Sequence, residues 1–220
     1  MLKGIIFDFD GVIAESLQIK TDAFVDLYKP FGADIVNKVV DHHEANNGKS
    51  RFEKIEYYHN SFMNKKITKK EISDLADQFS KMVINEVINS SFVPGVHRYI
   101  QKCSKKYKLF ISTGTPNNEI RKILEGKNII QFFKGIFGSP DSKIHHINTI
   151  LSEYDINTKE LLFFGDSNSD IEAAKYYNIN FVLRIHEKNK SFFDNYGGTK
   201  INNFLPRNIK YFHSKYNIDF

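Results

Sequence analysis

A single cysteine, Cys103, is all the thiol chemistry that this 220-residue sequence offers. It excludes an intrachain disulfide framework and fits a reducing compartment, so the cytoplasm is the expected location. Long hydrophobic runs are also missing. The first apolar stretch, Gly4 to Phe9, is broken by Asp8 and followed by Asp10, which excludes a signal-peptide core or a membrane span and leaves no membrane partner expected. No internal repeat, heptad pattern or low-complexity tract is present, so solenoid, coiled-coil and low-complexity readings fall away. Nor do the histidine pairs His42-His43 and His145-His146 have metal-ligand spacing; all four read as structural or exposed.

What is present is the balance of a globular protein, 41% hydrophobic and 26% charged, with enough length for one core domain and a modest insert. The net charge of +5 does not mark a nucleic-acid face. Its lysines are scattered among acids, as in Lys69-Lys70-Glu71, and no nucleic-acid partner is expected. A mild positive bias would still help attract an anionic ligand.

Gly4 to Phe9, closed by Gly11, reads as a buried strand ending in a turn. From about Ser16 the period changes to helical. Leu17, Phe24, Leu27 and Tyr28 mark a first helix ended by Pro30 and Gly32, Ile35 to Val40 a second, Phe52 to Tyr58 a third, and Ile72 to Val83 a fourth. After Pro94-Gly95, strands at Leu109 to Thr113, Gly135 to Phe137, Leu161 to Gly165 and Asn180 to Leu183 alternate with helices at Asn117 to Leu124, Lys143 to Tyr154 and Ser169 to Tyr177. That alternation predicts an α/β protein, a Rossmann-like parallel sheet built from residues 1–14 and 92–220, interrupted by a helical insert over 15–91. From Ile201 two readings stand: a helix from about Pro206, or a segment packed across the sheet.

Three polar clusters follow three of the predicted strands: Asp8 with Asp10, Thr113 with Gly114, and Asp166 with Asp170. In a parallel sheet these strand ends converge on one edge, where ligands bind. A lone Asp-x-Asp is usually a solvated turn; three clusters on one edge are a candidate site.

Asp8-Phe9-Asp10-Gly11-Val12, Thr113, Lys143 and Gly165-Asp166-Ser167-Asn168-Ser169-Asp170 resemble, in order, the four motifs of the haloacid-dehalogenase-like (HAD) superfamily. The helical insert lies where that superfamily carries a C1-type cap, as in the phosphoglycolate phosphatase and β-phosphoglucomutase-like subgroup. The resemblance implies a magnesium-dependent phosphatase. Asp8 would attack phosphorus and form an aspartyl-phosphate, and Asp10 would protonate the leaving alcohol and then accept a proton from water, with its pKa raised in the bound state. The Asp8 and Asp166 carboxylates and the Asp10 main-chain carbonyl would hold Mg²⁺, whose charge lets an anionic nucleophile approach a phosphate dianion. Lys143, Thr113 and Gly114 would stabilise the phosphoryl oxygens, and Asp170 would orient metal-bound water or Lys143. Many relatives have a proline after this lysine; here it is Ile144.

The insert would close over the sheet edge and exclude water. Its run Asn47-Gly48-Lys49-Ser50-Arg51 is similar to the cap loop of β-phosphoglucomutases, whose arginine holds the substrate's non-reacting phosphate, so Arg51 is a candidate for a second anionic group. Lys20, a further candidate for substrate binding, stands where that mutase family has a cap histidine, and Gly165-Asp166 looks more like the phosphatase form than the mutase's Glu-Asp. The expected partner is a small phosphorylated metabolite, a sugar phosphate or phosphoglycolate-like ester. A sugar phosphomutase and a non-catalytic sugar-phosphate sensor stay open as alternatives.

Overall fold

The structure is a computed structural model and describes residues 1–219. Six strands form one parallel sheet: β1 (Gly4–Phe7), β2 (Lys108–Pro116), β3 (Gly135–Ser139), β4 (Leu161–Gly165), β5 (Asn180–Arg184) and β6 (Thr199–Ile201). Their order is β3-β2-β1-β4-β5-β6. The central strand β1 is buried throughout and reads as an unbroken apolar run because both of its faces are covered. Ile5 and Phe7 point into one core and Ile6 into the other, the two-residue period of a strand. Between β1 and β4 the register pairs Phe7 with Phe164, so Asp8 and Asp166 leave neighbouring strands almost side by side.

Helices α1 (Leu17–Tyr28), α2 (Ala33–Ala45), α3 (Arg51–Tyr57) and α4 (Lys69–Asn89) run consecutively between β1 and β2, followed by α5 (Val96–Cys103). The chain leaves the sheet and returns to it side by side. Ala14 bridges Phe92, the Glu15 N–H donates to the Ser91 carbonyl, and the Val93 N–H donates to Ile13. A capping box at Thr68 and Glu71 starts α4, whose buried stripe Ile72, Ala76, Phe79, Val83 and Val87 has helical spacing.

Helices α6 (Asn117–Gly126), α7 (Lys143–Glu153), α8 (Asn168–Tyr176) and α9 (Pro206–Tyr216) complete the fold. α5, α6 and α9 pack on the Phe7 face, while α7 and α8 cover the Ile6 face. The C-terminal segment supplies both an edge strand and a helix. Three-residue β6 is too short to show a period, which is why the sequence gives no sign of it.

Candidate active site

Asp8 is the first residue after β1, Asp166 the first after β4, and Lys143 the first residue of α7, so three separate elements deliver one buried cluster. Lys143 Nζ donates to Asp8 Oδ2 at 2.8 Å and to Asp170 Oδ1 at 2.5 Å. The other Asp170 oxygen accepts from the Ser167 hydroxyl at 2.5 Å, the Ser167 N–H at 3.1 Å and the Asp166 N–H at 3.3 Å. Asp170 is thereby fixed at the N-terminus of α8, where a carboxylate completes a capping box and meets the positive end of the helix.

The Asp8, Asp166 and Asp170 carboxylates offer oxygens within 4.8 Å of one another. Burial pushes Asp8 well above the ordinary carboxylate range, with Asp170 and Asp166 adding to the rise and Lys143 opposing it. Burial, reinforced by Asp170, likewise pushes Asp166 up to about 8. Burial alone would pull Lys143 down, but Asp170 and Asp8 outweigh it and hold the ammonium above its usual value. His186 Nε2 lies 2.9 Å from Asp166 Oδ2 yet adds no charge near neutrality, because burial and the nearby Arg184 hold its pKa at about 4. The three crowded carboxyls have one buried ammonium, Lys143, between them and resist ionising together, so a site of oxygen donors is left that a hard divalent cation would match. Asp8 and Asp166 fit that role best, since Asp170 is saturated by its own donors.

Gly11 gives the loop after β1 its shape. It has φ +73°, and a Cβ there would collide with the Asp166 carboxylate, so only glycine lets the two strand ends approach. Arg184, at the end of β5, anchors the same loop by donating to the Gly11 carbonyl at 2.9 Å and to Glu15 at 2.6 Å.

Asp10 is partly buried and carries its own set of donors. Lys20 Nζ from α1 contacts Asp10 Oδ2 directly, Thr115 Oγ1 donates to the same oxygen at 3.0 Å, and Ser16 Oγ donates to Oδ1 at 2.6 Å. Burial raises the Asp10 carboxyl, but Lys20, with hydrogen bonds from Lys20, Ser16 and Thr115, outweighs it and holds the group below its ordinary value. That is opposite to the direction expected for the bound state, and its cause is Lys20. The lysine lies against the acid itself and also donates to Thr115 Oγ1 at 2.7 Å.

Arg51 has a different partner from the one its loop suggested. Nη2 donates to Glu119 Oε1 at 2.6 Å and Nη1 to Oε2 at 2.9 Å, with the guanidinium over the Phe79 ring. Its charge is already matched by a buried carboxylate, so as it stands Arg51 is not an unpaired cation awaiting a phosphate.

Asp8, Asp10, Thr113, Gly114 and Asp166 line one cavity with Lys20, Arg51, His43, Lys49 and Lys54. Its accessible volume is about 30 Å³, room for a water-sized group in this closed arrangement. The loop Asn46–Lys49 closes one side. A Cβ on Gly48 would strike the Ser167 and Ser169 hydroxyls, so the loop rests directly on the turn that carries Asp166. The sequence reading brought Asp8, Asp10, Thr113, Gly114, Lys143, Asp166 and Asp170 to one edge. It missed Thr115, Ser16, His186, Glu119, Lys54 and His43. Thr115 stood two residues past a noted threonine on the same strand, the one signal available; the others come from remote segments.

The profile of haloacid dehalogenase-like hydrolases matches residues 5–184. The chain belongs to this family. A comparison with curated protein sequences gives no significant match. Among solved structures, β-phosphoglucomutase from Clostridium difficile superposes with a TM-score of 0.77 at 21% identity, covering 99% of this chain and 98% of that one. A protein described as a predicted phosphoglycolate phosphatase from Haemophilus somnus gives 0.68 at 20% identity, over 92% and 95%. CbbY from Rhodobacter sphaeroides, in complex with xylulose-1,5-bisphosphate, gives 0.74 at 14% identity, over 94% and 96%. At these identities the structures share the fold with this HAD-like hydrolase. Among the described residues no helix is long and apolar enough to cross a membrane.

Proposed function

We propose that this HAD-like hydrolase is a magnesium-dependent phosphatase of a small phosphorylated metabolite, acting through an aspartyl-phosphate on Asp8. The observation that carries the reading is the division of labour between two aspartates two residues apart. Asp8 is tied to Lys143 beside Asp166, while Asp10 is turned to Lys20, Thr115 and Ser16. That difference in surroundings supports a reading in which one carboxylate attacks and the other handles protons.

Asp8 and Asp166, with the Asp10 main-chain carbonyl, would hold Mg²⁺, which when bound supplies the positive charge that offsets repulsion between a carboxylate and a phosphate dianion. Asp8 forms a bond to phosphorus as the ester bond breaks, and Asp10, which must take up a proton from solvent as substrate binds because Lys20 keeps it ionised beforehand, delivers that proton to the departing alkoxide. Lys143 holds Asp8 in line and offers charge to the phosphoryl oxygens, with the Thr113 hydroxyl and Gly114 N–H as further donors. Water, deprotonated by Asp10, then cleaves the acyl-phosphate and releases Asp8 and inorganic phosphate. The segment 15–91 acts as a cap whose loop at Gly48 excludes bulk water.

Arg51 bears on the choice between hydrolysis and phosphomutation. A mutase must hold the far phosphate while its substrate turns, and the arginine suggested for that grip is paired to Glu119. Arg51 therefore lends no support to a mutase grip, and Gly165-Asp166, which looks like the phosphatase form, favours hydrolysis. The test is phosphate release from a panel of sugar phosphates, sugar acid phosphates and short phosphorylated acids with Mg²⁺. Turnover is expected for at least one class and none in Asp8→Asn; folded protein inert across the panel would overturn the reading, and isomerised sugar phosphate without free phosphate would replace it with the mutase.

A further inference from the structure

Lys54, on α3, is 2% exposed, and among the described residues no carboxylate lies within ion-pair distance of it. Its hydrogen-bond partner is His43 Nδ1 on α2, at 2.8 Å, and the ammonium lies 5.8 Å from the centre of the Phe24 ring. His43 is also buried, at 3% exposure, and its Nε2 has no hydrogen-bond partner. With Lys54 charged, its ammonium donates to Nδ1 and the imidazole proton sits on Nε2, so in that state the pair presents N–H groups with nothing to receive them. Burying such donors without an acceptor is costly, and native structures rarely do so without a reason.

Both residues line the cavity that holds Asp8 and Asp10, on a wall otherwise made by Leu17, Phe24 and Phe79. The other buried or partly buried cations there are matched: Lys20 by Asp10 and Arg51 by Glu119. Lys54 is the unmatched one. Burial first, and Lys20 next, hold its ammonium well below the usual lysine range against the weaker pull of Asp10 and Glu53, so an anion beside it would favour its charged form.

We propose that Lys54 and His43 form a subsite for a second anionic group, a carboxylate or a second phosphate, carried by the part of the substrate that departs with the ester oxygen. The inference rests on the phosphatase reading for the orientation of the substrate, with its phosphoryl end at Asp8. It narrows the substrate class: short phosphate monoesters with a second negative group fit, and those with a neutral leaving group lack a partner for Lys54.

Three phosphonates of matched length, resistant to hydrolysis, test this with Mg²⁺ present: 3-phosphonopropionate, ethane-1,2-diphosphonate and propylphosphonate. By titration calorimetry, one or both anionic-tailed probes should bind at least about tenfold tighter than propylphosphonate, and Lys54→Met should bring that ratio to about one. Lys54→Arg should keep part of it. Which of the two probes wins distinguishes carboxylate from phosphate. His43→Gln provides a second variant should Lys54→Met not fold, and should lower the ratio in the same sense. A wild-type ratio near one, or a ratio untouched by both substitutions, overturns the subsite. Failure of the phosphatase reading looks different: no ester releases phosphate, while the binding ratio and its dependence on Lys54 persist.

Discussion

Arg51 and Glu119 face each other through two parallel hydrogen bonds, 2.6 and 2.9 Å long, with both side chains almost wholly buried. Arg51 begins α3 and Glu119 lies in the first turn of α6, so this one pair ties the helical segment to the sheet domain. Ser80 on α4 joins it, accepting from Arg51 and donating to Glu119 at 2.7 Å each.

Removing one partner leaves the other charged and unpaired in a buried site. Glu119→Leu should therefore destabilise the protein by about 3–5 kcal/mol, as should Arg51→Met, whereas Arg51→Met with Glu119→Leu should recover most of that loss. Urea denaturation of the two single variants and the double variant gives the coupling. A coupling near zero would mean the pair does not link the two parts energetically.

The strand ends of the candidate site were readable because a parallel sheet carries its geometry in the sequence. Once β1, β2 and β4 are recognised, Asp8, Thr113 and Asp166 must lie on one edge, and the first turn of α7 brings Lys143 to them. The Arg51–Glu119 pair was not readable. Its partners are 68 residues apart, and which carboxylate meets Arg51 depends on how α3 docks against α6, which no local period encodes. Lys54 and His43 were hidden for the same reason. Each looks like a solvated residue on its own helix until α2 and α3 pack and bury them together. The positions proposed to bear on substrate choice are thus the least legible, since helix packing rather than sheet topology places them.

Asp170 holds Lys143 rather than standing ready for a cation, because its two oxygens accept four hydrogen bonds where those of Asp8 accept two. Asp170→Asn should lower kcat by roughly 10–100-fold through a misplaced Lys143 and leave the Mg²⁺ concentration for half-maximal rate nearly unchanged. Steady-state phosphate release against Mg²⁺ concentration checks both. A large shift in the Mg²⁺ requirement with little loss of kcat would make Asp170 a direct ligand instead.

Asp8 and Asp166 confine like charges in a buried pocket, so a divalent cation bound there should stabilise the fold independently of any turnover. At about a hundredfold excess of Mg²⁺ over its Kd, the gain should be about 2.7 kcal/mol, abolished by chelation. Asp166→Asn should lose most of it. Urea denaturation with and without Mg²⁺ measures the difference. Identical curves for the wild-type protein would remove Mg²⁺ from the site, whatever the enzyme's activity.

His146 couples the α7 face of the sheet to pH. Its ring is buried between Ser112 Oγ, 3.0 Å from Nδ1, and the Gly138 carbonyl, 3.2 Å from Nε2, an arrangement that suits the neutral imidazole protonated on Nε2. Burial pulls its pKa down from 6.5 to about 4, with the nearby Lys143 acting in the same direction and the Gly138 hydrogen bond opposing them. Above about pH 6.5 the ring is neutral in both folded and unfolded chains and contributes no pH dependence. Between pH 6.5 and 4 the unfolded chain takes up a proton that the native chain refuses, so stability falls as pH falls, by about 3 kcal/mol in all. Below about pH 4 the native ring also protonates and this contribution levels off. His146→Gln removes the titrating group, so its stability should drop less steeply than the wild type across that window, even if its stability at pH 7 is lower. The readout is the difference between the two stability curves from urea denaturation at successive pH values. A constant difference from pH 7 to 4 would show that His146 does not carry the acid sensitivity.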